Sequence, residues 1–177
     1  IEHNDMVHPD DIKRFAENDI WANFTPIFMP HTAKWEHNPM FNVLDEEQQN
    51  HGWPIKSLID SGANVTFGCD CVGVPVDCPD WNPMEQIFYS VDRTSSDGNP
   101  QGGYLPHEKV SVKEAVYCYT YNAARSINME DKLGTLEEGK LADISVWDKN
   151  IFELTGQEIR KVECVMTIMD GKIVYKK

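Results

Sequence analysis

The sequence predicts an α/β fold with parallel strands over residues 1–130, followed by a small β-rich module over residues 131–177. Two observations support this. In the first part, short apolar runs alternate with segments of helical spacing, an order typical of parallel strands joined by right-handed crossovers. In the second part, β-rich runs follow one another, and the last two flank an Asp170-Gly171 pair typical of a two-residue hairpin turn.

The first helix is expected to begin at Pro9. Proline suits the first helical position, and the carboxylates of Asp10 and Asp11 complement the positive end of the helix dipole. The elements around this helix are expected to be the end of a strand at residues 1–3, a strand at residues 20–28, a helix at residues 55–61 and a strand at residues 65–67.

The rest of the chain has local signals of several kinds. Residues 30–54 are polar and aromatic without a strand period, which indicates a long loop with a short helix near residues 44–50. Ser111 and Glu114 form the Ser-x-x-Glu pattern of a capping box, so a helix is expected to begin there. Further elements are expected to be a helix at residues 83–92 and strands at residues 141–147, 162–168 and 172–175.

The short strand before Asp70 is the first candidate for a functional position. It runs through Gly68 and ends on the Asp70 carboxylate. In parallel α/β sheets, functional groups usually lie at the C-terminal tips of the strands, and the absent side chain of Gly68 suggests room for a ligand. The residues alone leave the alternative open that Asp70 only caps the following turn.

The charge of the chain narrows the classes of partner. Sixteen basic residues against 29 acidic ones give a net charge of -13, which disfavours binding to nucleic acid and to anionic membrane surfaces. No apolar run approaches the roughly 20 residues of a membrane span, and no leader pattern is present. Because the first residue is Ile, we expect the chain to begin within a longer protein. We expect that protein to be cytoplasmic.

Five cysteines are present, and three of them lie close together as Cys69, Cys71 and Cys78. Their spacing differs from the Cys-x2-Cys pairs of most structural zinc sites. Reduced, buried thiols of a cytosolic enzyme are therefore favoured over a cysteine-based metal-binding module, which stays open as an alternative.

The predicted strands are too few to complete a sheet of this kind. Three parallel strands with their helices neither close a barrel nor bury both faces of an open sheet well. The element count therefore indicates that the α/β part belongs to a larger structure.

Several motifs together resemble the amidohydrolase superfamily. The stretch at residues 134–148, Gly-Thr-Leu-Glu-Glu-Gly-Lys-Leu-Ala-Asp-Ile-Ser-Val-Trp-Asp, is similar to the segment that leads from the barrel of these enzymes into a small β-sandwich. Upstream, Ile-Glu-His, Phe-Gly-Cys-Asp, Asn-Pro-Met-Glu, Val-Asp-Arg and Gly-Gly-Tyr, at residues 1–3, 67–70, 82–85, 91–93 and 102–104, resemble amidohydrolase family 3, which includes N-substituted formamide deformylase-like enzymes.

This resemblance implies the C-terminal part of a metal-dependent-hydrolase (β/α)8 barrel, from strand six to strand eight, followed by part of a small β-sandwich. It also implies hydrolysis of amide-type carbon–nitrogen bonds in a small-molecule substrate. In such enzymes one or two divalent metal ions, zinc above all, lie at the C-terminal mouth of the barrel.

The resemblance also assigns roles to individual residues. His3 stands at the position of the strand-six histidine ligand, and Asp70 at that of the strand-eight aspartate, which contacts metal and transfers the proton of the hydrolytic water. His31 follows the strand-seven tip and is a candidate for substrate binding. The sequence departs from the family where Cys69 and Cys71 flank Asp70 in place of other small residues.

The resemblance further implies that other metal ligands lie upstream of Ile1. Because a catalytic zinc normally needs three protein groups, we expect the 177-residue chain to be inactive alone. We expect it to associate with the missing N-terminal part or as a homo-oligomer. The alternative is a non-catalytic structural fragment.

Overall fold

The computed structural model describes residues 1–31, 43–70 and 82–177 of the chain, without the side chains of Pro30 and His31. The parallel strands at its centre are β1 (Trp21–Phe24) and β2 (Asn64–Phe67), paired from Trp21 opposite Asn64 to Phe24 opposite Phe67. The expected parallel arrangement is therefore confirmed.

The N-terminal residues lie along the other edge of β1. The amino group of Ile1 donates to the Trp21 carbonyl at 2.7 Å, and the Asn23 N–H donates to the Ile1 carbonyl at 2.9 Å. One residue that bonds to the two neighbours of its partner is the pattern of a parallel pair. Ile1 therefore lies beside Ala22 as the end of a third parallel segment.

Helices surround these strands. Their bounds are α1 (Pro9–Glu17), α2 (Phe28–His31), α3 (Glu46–Gln49), α4 (Ile55–Asp60), α5 (Pro83–Asp92), α6 (Val112–Tyr119) and α7 (Tyr121–Ser126), with 3-10 helices at Pro106–Glu108, Ile151–Glu153 and Gly156–Lys161.

The strand expected at residues 20–28 is shorter in the structure. It ends at Phe24, because the chain turns at Pro26: the Phe28 N–H donates to the Thr25 carbonyl at 2.9 Å, which begins α2. The Ile27 N–H donates instead to the side chain of Gln86, on α5, at 3.0 Å. The predicted strand was therefore wrong beyond Phe24.

The C-terminal module is a three-stranded antiparallel sheet. Its strands β3 (Ile144–Trp147), β4 (Cys164–Met169) and β5 (Lys172–Lys176) lie in the order β3-β4-β5. Asp170 and Gly171, with φ angles of 48° and 73°, form the turn between β4 and β5, where positive φ at both positions suits a tight hairpin. The predicted hairpin is confirmed.

A single buried cluster connects the two parts of the chain. Phe24, Val65 and Phe88 belong to it, and so do Ile151 and Ile159 from beyond residue 130. The segment between β3 and β4 therefore packs on the α/β part. The division of the chain at residue 130 stays a prediction.

Arg93, at the C-terminal end of α5, is buried. Its guanidinium donates to the carbonyls of Tyr104 at 2.6 Å, Trp53 at 3.1 Å and Gly52 at 3.3 Å. Burial lowers the pKa of Arg93 to about 10. This side chain therefore holds the segment before α4 against the end of α5.

No helix in the part of the chain that the structure describes has the length and apolar character needed to cross a bilayer.

Candidate metal centre

The structure brings His3 and Asp70 together at one edge of the parallel strands. The Nε2 atom of His3 lies 3.9 Å from an Oδ atom of Asp70. His3 follows the segment beside β1, and Asp70 follows the C-terminal end of β2. The C-terminal ends of parallel strands meet at the same edge, which explains how residues so distant in sequence come together. Their side chains are 42% and 40% exposed, so solvent reaches both.

The His3 ring is held by stacking and by an unusual backbone. It stacks on Phe28 with the ring centroids 5.6 Å apart and an interplanar angle of 24°. His3 and Asn4 have φ angles of 68° and 52°, in the left-handed region that few non-glycine residues adopt. The side chain of Asn4 stabilises this turn, because it donates to the carbonyls of Ile1 at 2.9 Å and Asn23 at 3.0 Å.

The space beside Gly68 is used by a protein side chain. A Cβ atom at Gly68 would lie 3.1 Å from Nδ2 of Asn23. That amide also donates to the carboxylate of Glu2, and its oxygen accepts from the Thr66 hydroxyl at 3.0 Å. The interpretation that Gly68 leaves room for a ligand is therefore corrected: the glycine makes room for Asn23.

Three side-chain polar atoms among the described residues are buried and have no hydrogen-bond partner. They are Nδ1 of His3, Oδ1 of Asp5 and Nε1 of Trp53. Burial raises the pKa of Asp5, whereas the nearby His3 and the indole of Trp53 act to lower it. The His3 imidazole therefore has one buried nitrogen, Nδ1, and a second, Nε2, that lies near Asp70.

The separation of His3 and Asp70 fits a shared metal ion. Nitrogen and oxygen ligands lie about 2.0–2.2 Å from zinc, so two ligands of one ion are at most about 4.4 Å apart. The observed 3.9 Å falls within that limit. Among the described residues, however, no group of three His, Cys, Asp or Glu side chains could hold a metal. His3 and Asp70 would therefore supply part of a site.

The structure describes only some of the other predicted site residues. His31 is the last residue of α2, and its side chain lies outside the described part. Cys69 is half-buried, while Cys71 and Cys78 lie outside the described residues, so the cysteine-based module stays an untested alternative. Sequence reasoning did not single out Asp5, and the left-handed backbone of His3 and Asn4 means that no strand period connects Asp5 with His3.

A model of the amidohydrolase family matches residues 1–175 of the chain. The chain belongs to the amidohydrolase family. The resemblance inferred from its motifs is thereby confirmed.

Two relatives of this amidohydrolase-family chain have descriptive names. It is 29% identical over 140 residues to the N-substituted formamide deformylase of Arthrobacter pascens, a match that covers 78% of this chain and 24% of the relative. It is 27% identical over 175 residues to the putative amidohydrolase YtcJ of Bacillus subtilis (strain 168), with 99% of this chain and 31% of the relative covered. The chain thus spans about a quarter to a third of these relatives.

A solved structure shares the fold of this amidohydrolase-family chain. An uncharacterized metal-dependent hydrolase from Pyrococcus furiosus matches with a TM-score of 0.60 and 27% identity, covering 79% of this chain and 26% of the solved one. The fold class is thus α/β, shared with hydrolases of the amidohydrolase type.

Proposed function

We propose that this chain is the C-terminal part of a metal-dependent hydrolase that cleaves amide or related carbon–nitrogen bonds in a small-molecule substrate. The observation that carries the proposal is the approach of His3 to Asp70 within 3.9 Å at the strand ends. Membership of the amidohydrolase family and the likeness to a formamide deformylase support the type of bond. The likeness to a metal-dependent hydrolase supports the cofactor.

The proposal includes an assignment of the elements within a (β/α)8 barrel. The segment at Ile1, β1 and β2 would be strands six, seven and eight, and β3 to β5 would be part of a small β-sandwich. Support comes from the parallel hydrogen bonds of the first three and the antiparallel pairing of the last three.

His3 and Asp70 would hold a divalent ion, for which zinc suits the combination of imidazole and carboxylate. When bound, such an ion polarises the scissile carbonyl and makes water a better nucleophile. The part of Asp70 is to accept the proton of the attacking water and return it to the departing nitrogen. Its 40% exposure is compatible with access of water to the carboxylate.

Further parts of the proposal rest on the family resemblance. His31 would line the substrate site, and one or two ions would be present in the complete protein. The reaction would take place in the cytoplasm, where reduced thiols such as Cys69 and Cys118 persist. The remaining ligands would come from the N-terminal part or from a second copy of the chain, so the 177 residues alone would be inactive.

The proposal is tested on the complete protein that carries this chain. Metal content is measured by elemental analysis, and hydrolysis is measured on a panel of N-substituted formamides and other amides, for wild type, His3→Asn and Asp70→Asn. Both variants are expected to lose more than about 100-fold in rate and to bind less metal, because each change removes a proposed ligand, which costs more affinity than loss of a residue that only supports a ligand.

His107→Asn is the matched control, since the His107 side chain is 64% exposed and has no part in the proposed reaction. It is expected to keep both metal and rate. Full metal content and activity in His3→Asn would contradict the proposal. The double variant Cys71→Ser, Cys78→Ser is expected to keep its metal, and loss of metal there would instead favour the cysteine-based module.

A further inference from the structure

A row of hydrogen-bonded polar side chains, Glu2, Asn23 and Thr66, crosses the parallel segments beside the candidate metal centre. The Asn23 amide donates to the Glu2 carboxylate, and the Thr66 hydroxyl donates to the Asn23 amide oxygen at 3.0 Å. Asn23 lies opposite Thr66 in the pairing of β1 with β2. Neighbouring strands lie about 4.7–4.9 Å apart, so side chains on one face of the sheet can bond from strand to strand.

This row lies apart from the apolar core. Side chains alternate between the two faces along a strand, so Ala22 and Phe24 lie on the face opposite to Asn23. Both are fully buried and belong to the buried cluster, whereas Asn23 is half-buried. An amide nitrogen donates and an amide oxygen accepts, so an asparagine suits a position between the Glu2 carboxylate and the Thr66 hydroxyl.

The turn that carries His3 is bonded to Asn23 on both sides of the histidine. Glu2, immediately before His3, accepts from the Asn23 side chain. Asn4, immediately after His3, donates from its side chain to the Asn23 carbonyl at 3.0 Å. The Asn23 N–H also donates to the Ile1 carbonyl at 2.9 Å. Asn23 therefore fixes this turn to β1.

The segment that carries Asp70 packs against the same side chain. Gly68 lies two residues before Asp70, and a Cβ atom at Gly68 would lie 3.1 Å from Nδ2 and 3.4 Å from Oδ1 of Asn23. These distances are shorter than the optimal separation of about 3.5–4.0 Å between non-bonded atoms. The backbone that leads into Asp70 therefore lies directly against the Asn23 amide.

We propose that Asn23 is a positioning residue that holds His3 at its distance from Asp70. It does so by bonding the residues on either side of His3 and by packing against Gly68. Ligands must be held within about 0.5 Å of the productive geometry, and these two come from segments far apart in the sequence. The inference rests on the proposed function for the use of His3 and Asp70 as ligands, whereas the positioning belongs to the metal-free protein.

Crystal structures of the complete protein, prepared without metal, test the positioning directly. In wild type, the distance from Nε2 of His3 to an Oδ atom of Asp70 is expected to be close to 3.9 Å. In Asn23→Ala this distance is expected to change by more than about 0.5 Å. Asn64→Ala is the matched control, because the Asn64 side chain also makes two hydrogen bonds, of 2.8 and 3.1 Å, but at the N-terminal end of β2. It is expected to leave the distance unchanged.

Zinc affinity, measured by competition with a chelating dye, tests the consequence for metal binding. Asn23→Ala is expected to weaken zinc binding about 10–100-fold, which is typical for loss of a residue that supports metal ligands. Asn64→Ala is expected to keep the wild-type affinity. An equal loss of affinity in the two variants would show a general structural effect and would overturn the positioning role.

A double-mutant cycle tests the contact with Gly68. Gly68 does not have a positive φ angle, so alanine fits its backbone and would disturb only the Asn23 amide. Gly68→Ala is expected to weaken zinc binding in the wild-type background and to have no further effect in the Asn23→Ala background. Additive losses would show that the two residues act independently and would overturn the proposal.

Variants of Glu2 separate its hydrogen bond from its charge. Glu2→Gln retains an oxygen that can accept from the Asn23 amide, whereas Glu2→Ala retains none. Glu2→Ala is expected to weaken zinc binding about 10-fold, and Glu2→Gln is expected to keep the wild-type affinity. Equal losses would assign the effect to charge and overturn the proposal. Because Glu2 is exposed, both variants are expected to fold, and they decide even if Asn23→Ala does not fold.

The outcomes distinguish this inference from the proposed function. An unchanged distance between His3 and Asp70 in Asn23→Ala would overturn the positioning role, and so would an unchanged zinc affinity if zinc binding requires His3. A distance that depends on Asn23, in a protein whose zinc content does not depend on His3, would uphold the positioning role and overturn the proposed metal site.

Discussion

At the scale of residues, the candidate site contains backbone conformations that non-glycine residues rarely adopt. His3, Asn4 and Asp70 have φ angles of 68°, 52° and 47°, and such backbone strain often lies at functional sites. Asn4 is buried and binds the carbonyls of Ile1 and Asn23. It therefore holds the chain where His3 leaves the strand.

Replacement of Asn4 by alanine is expected to lower the free energy of unfolding by about 2–4 kcal/mol, since two partly buried hydrogen bonds are lost and alanine tolerates positive φ poorly. Urea denaturation measures the effect. Asn128→Ala is the matched control, because Asn128 has a φ of 56° but is exposed. It should lose only about 1 kcal/mol. Equal losses in the two variants would show that the Asn4 side-chain bonds contribute nothing.

One buried thiol and two half-buried phenols predict how the free energy of unfolding depends on alkaline pH. Burial raises the pKa of Cys118, Tyr104 and Tyr119, each to about 12, while in the unfolded chain these groups ionise near their ordinary values of 9 and 10. Because the folded-state pKa values are the higher ones, stability is fully present below about pH 9 and is lost as pH rises towards 12.

This loss is measured by urea unfolding at a series of pH values, together with tyrosine absorbance near 295 nm. The phenols of Tyr104 and Tyr119 are expected to ionise at a higher pH than those of unperturbed tyrosines. Cys118 is expected to resist iodoacetamide in the folded protein and to react after unfolding. Rapid alkylation of Cys118 in the native state would contradict its burial.

At the scale of elements, local capping determines where α6 begins and also connects it to α4. The Glu114 N–H donates to the Ser111 hydroxyl at 3.2 Å, and the Glu114 carboxylate accepts from the Ser111 N–H at 2.7 Å. Lys56, on α4, donates to the same carboxylate at 2.9 Å. Burial acts to raise the pKa of Glu114, but these hydrogen bonds outweigh it and hold that pKa below its usual value.

Ser111→Ala is expected to destabilise the protein by about 1 kcal/mol, which is typical for loss of an N-cap side chain. Ser126→Ala is the control: Ser126 is exposed at the end of α7, where its hydroxyl donates to the Ala123 carbonyl. That change is expected to remain within about 0.5 kcal/mol of wild type. Thermal or urea unfolding compares the two, and a control loss as large as that of Ser111→Ala would reject the capping explanation.

At the scale of the whole molecule, an ion pair joins the C-terminal segment to the α/β part. Arg160, in the 3-10 helix Gly156–Lys161, donates from Nε to both carboxylate oxygens of Glu85 at 2.8 and 3.0 Å. Its guanidinium also lies over the Phe88 ring, 5.2 Å from the centroid. Glu85 is buried on α5, so Arg160 is the group that compensates its charge.

Arg160→Met is expected to cost about 3 kcal/mol, because removal of one partner leaves a buried carboxylate unpaired. The double variant Glu85→Gln, Arg160→Met is expected to recover part of the loss. Lys177→Met, which removes the exposed pair with Glu163, is expected to change stability little. Urea denaturation measures all three, and equal effects of Arg160→Met and Lys177→Met would contradict the importance of burial.

Much of the fold follows from signals within a few residues. Pro9 and Pro83 begin helices, Ser111 and Glu114 cap one, and Asp170-Gly171 turns a hairpin. Each depends on backbone geometry that neighbouring residues determine by themselves, so each was predictable. The family could be inferred as well, because its motifs occur in order along the chain.

The sequence by itself thus determined most of the local elements, the parallel order of the strands and the two residues, His3 and Asp70, proposed as ligands. Only the tertiary structure decided what surrounds them: the Phe28 ring that stacks on His3, the use of the Gly68 space by Asn23, and the approach of His3 to Asp70. The reason is physical. Contacts between residues distant along the chain depend on which groups become buried, because a buried polar group without a hydrogen-bond partner is costly. Burial is a property of the packed molecule, so a short stretch of sequence does not reveal it.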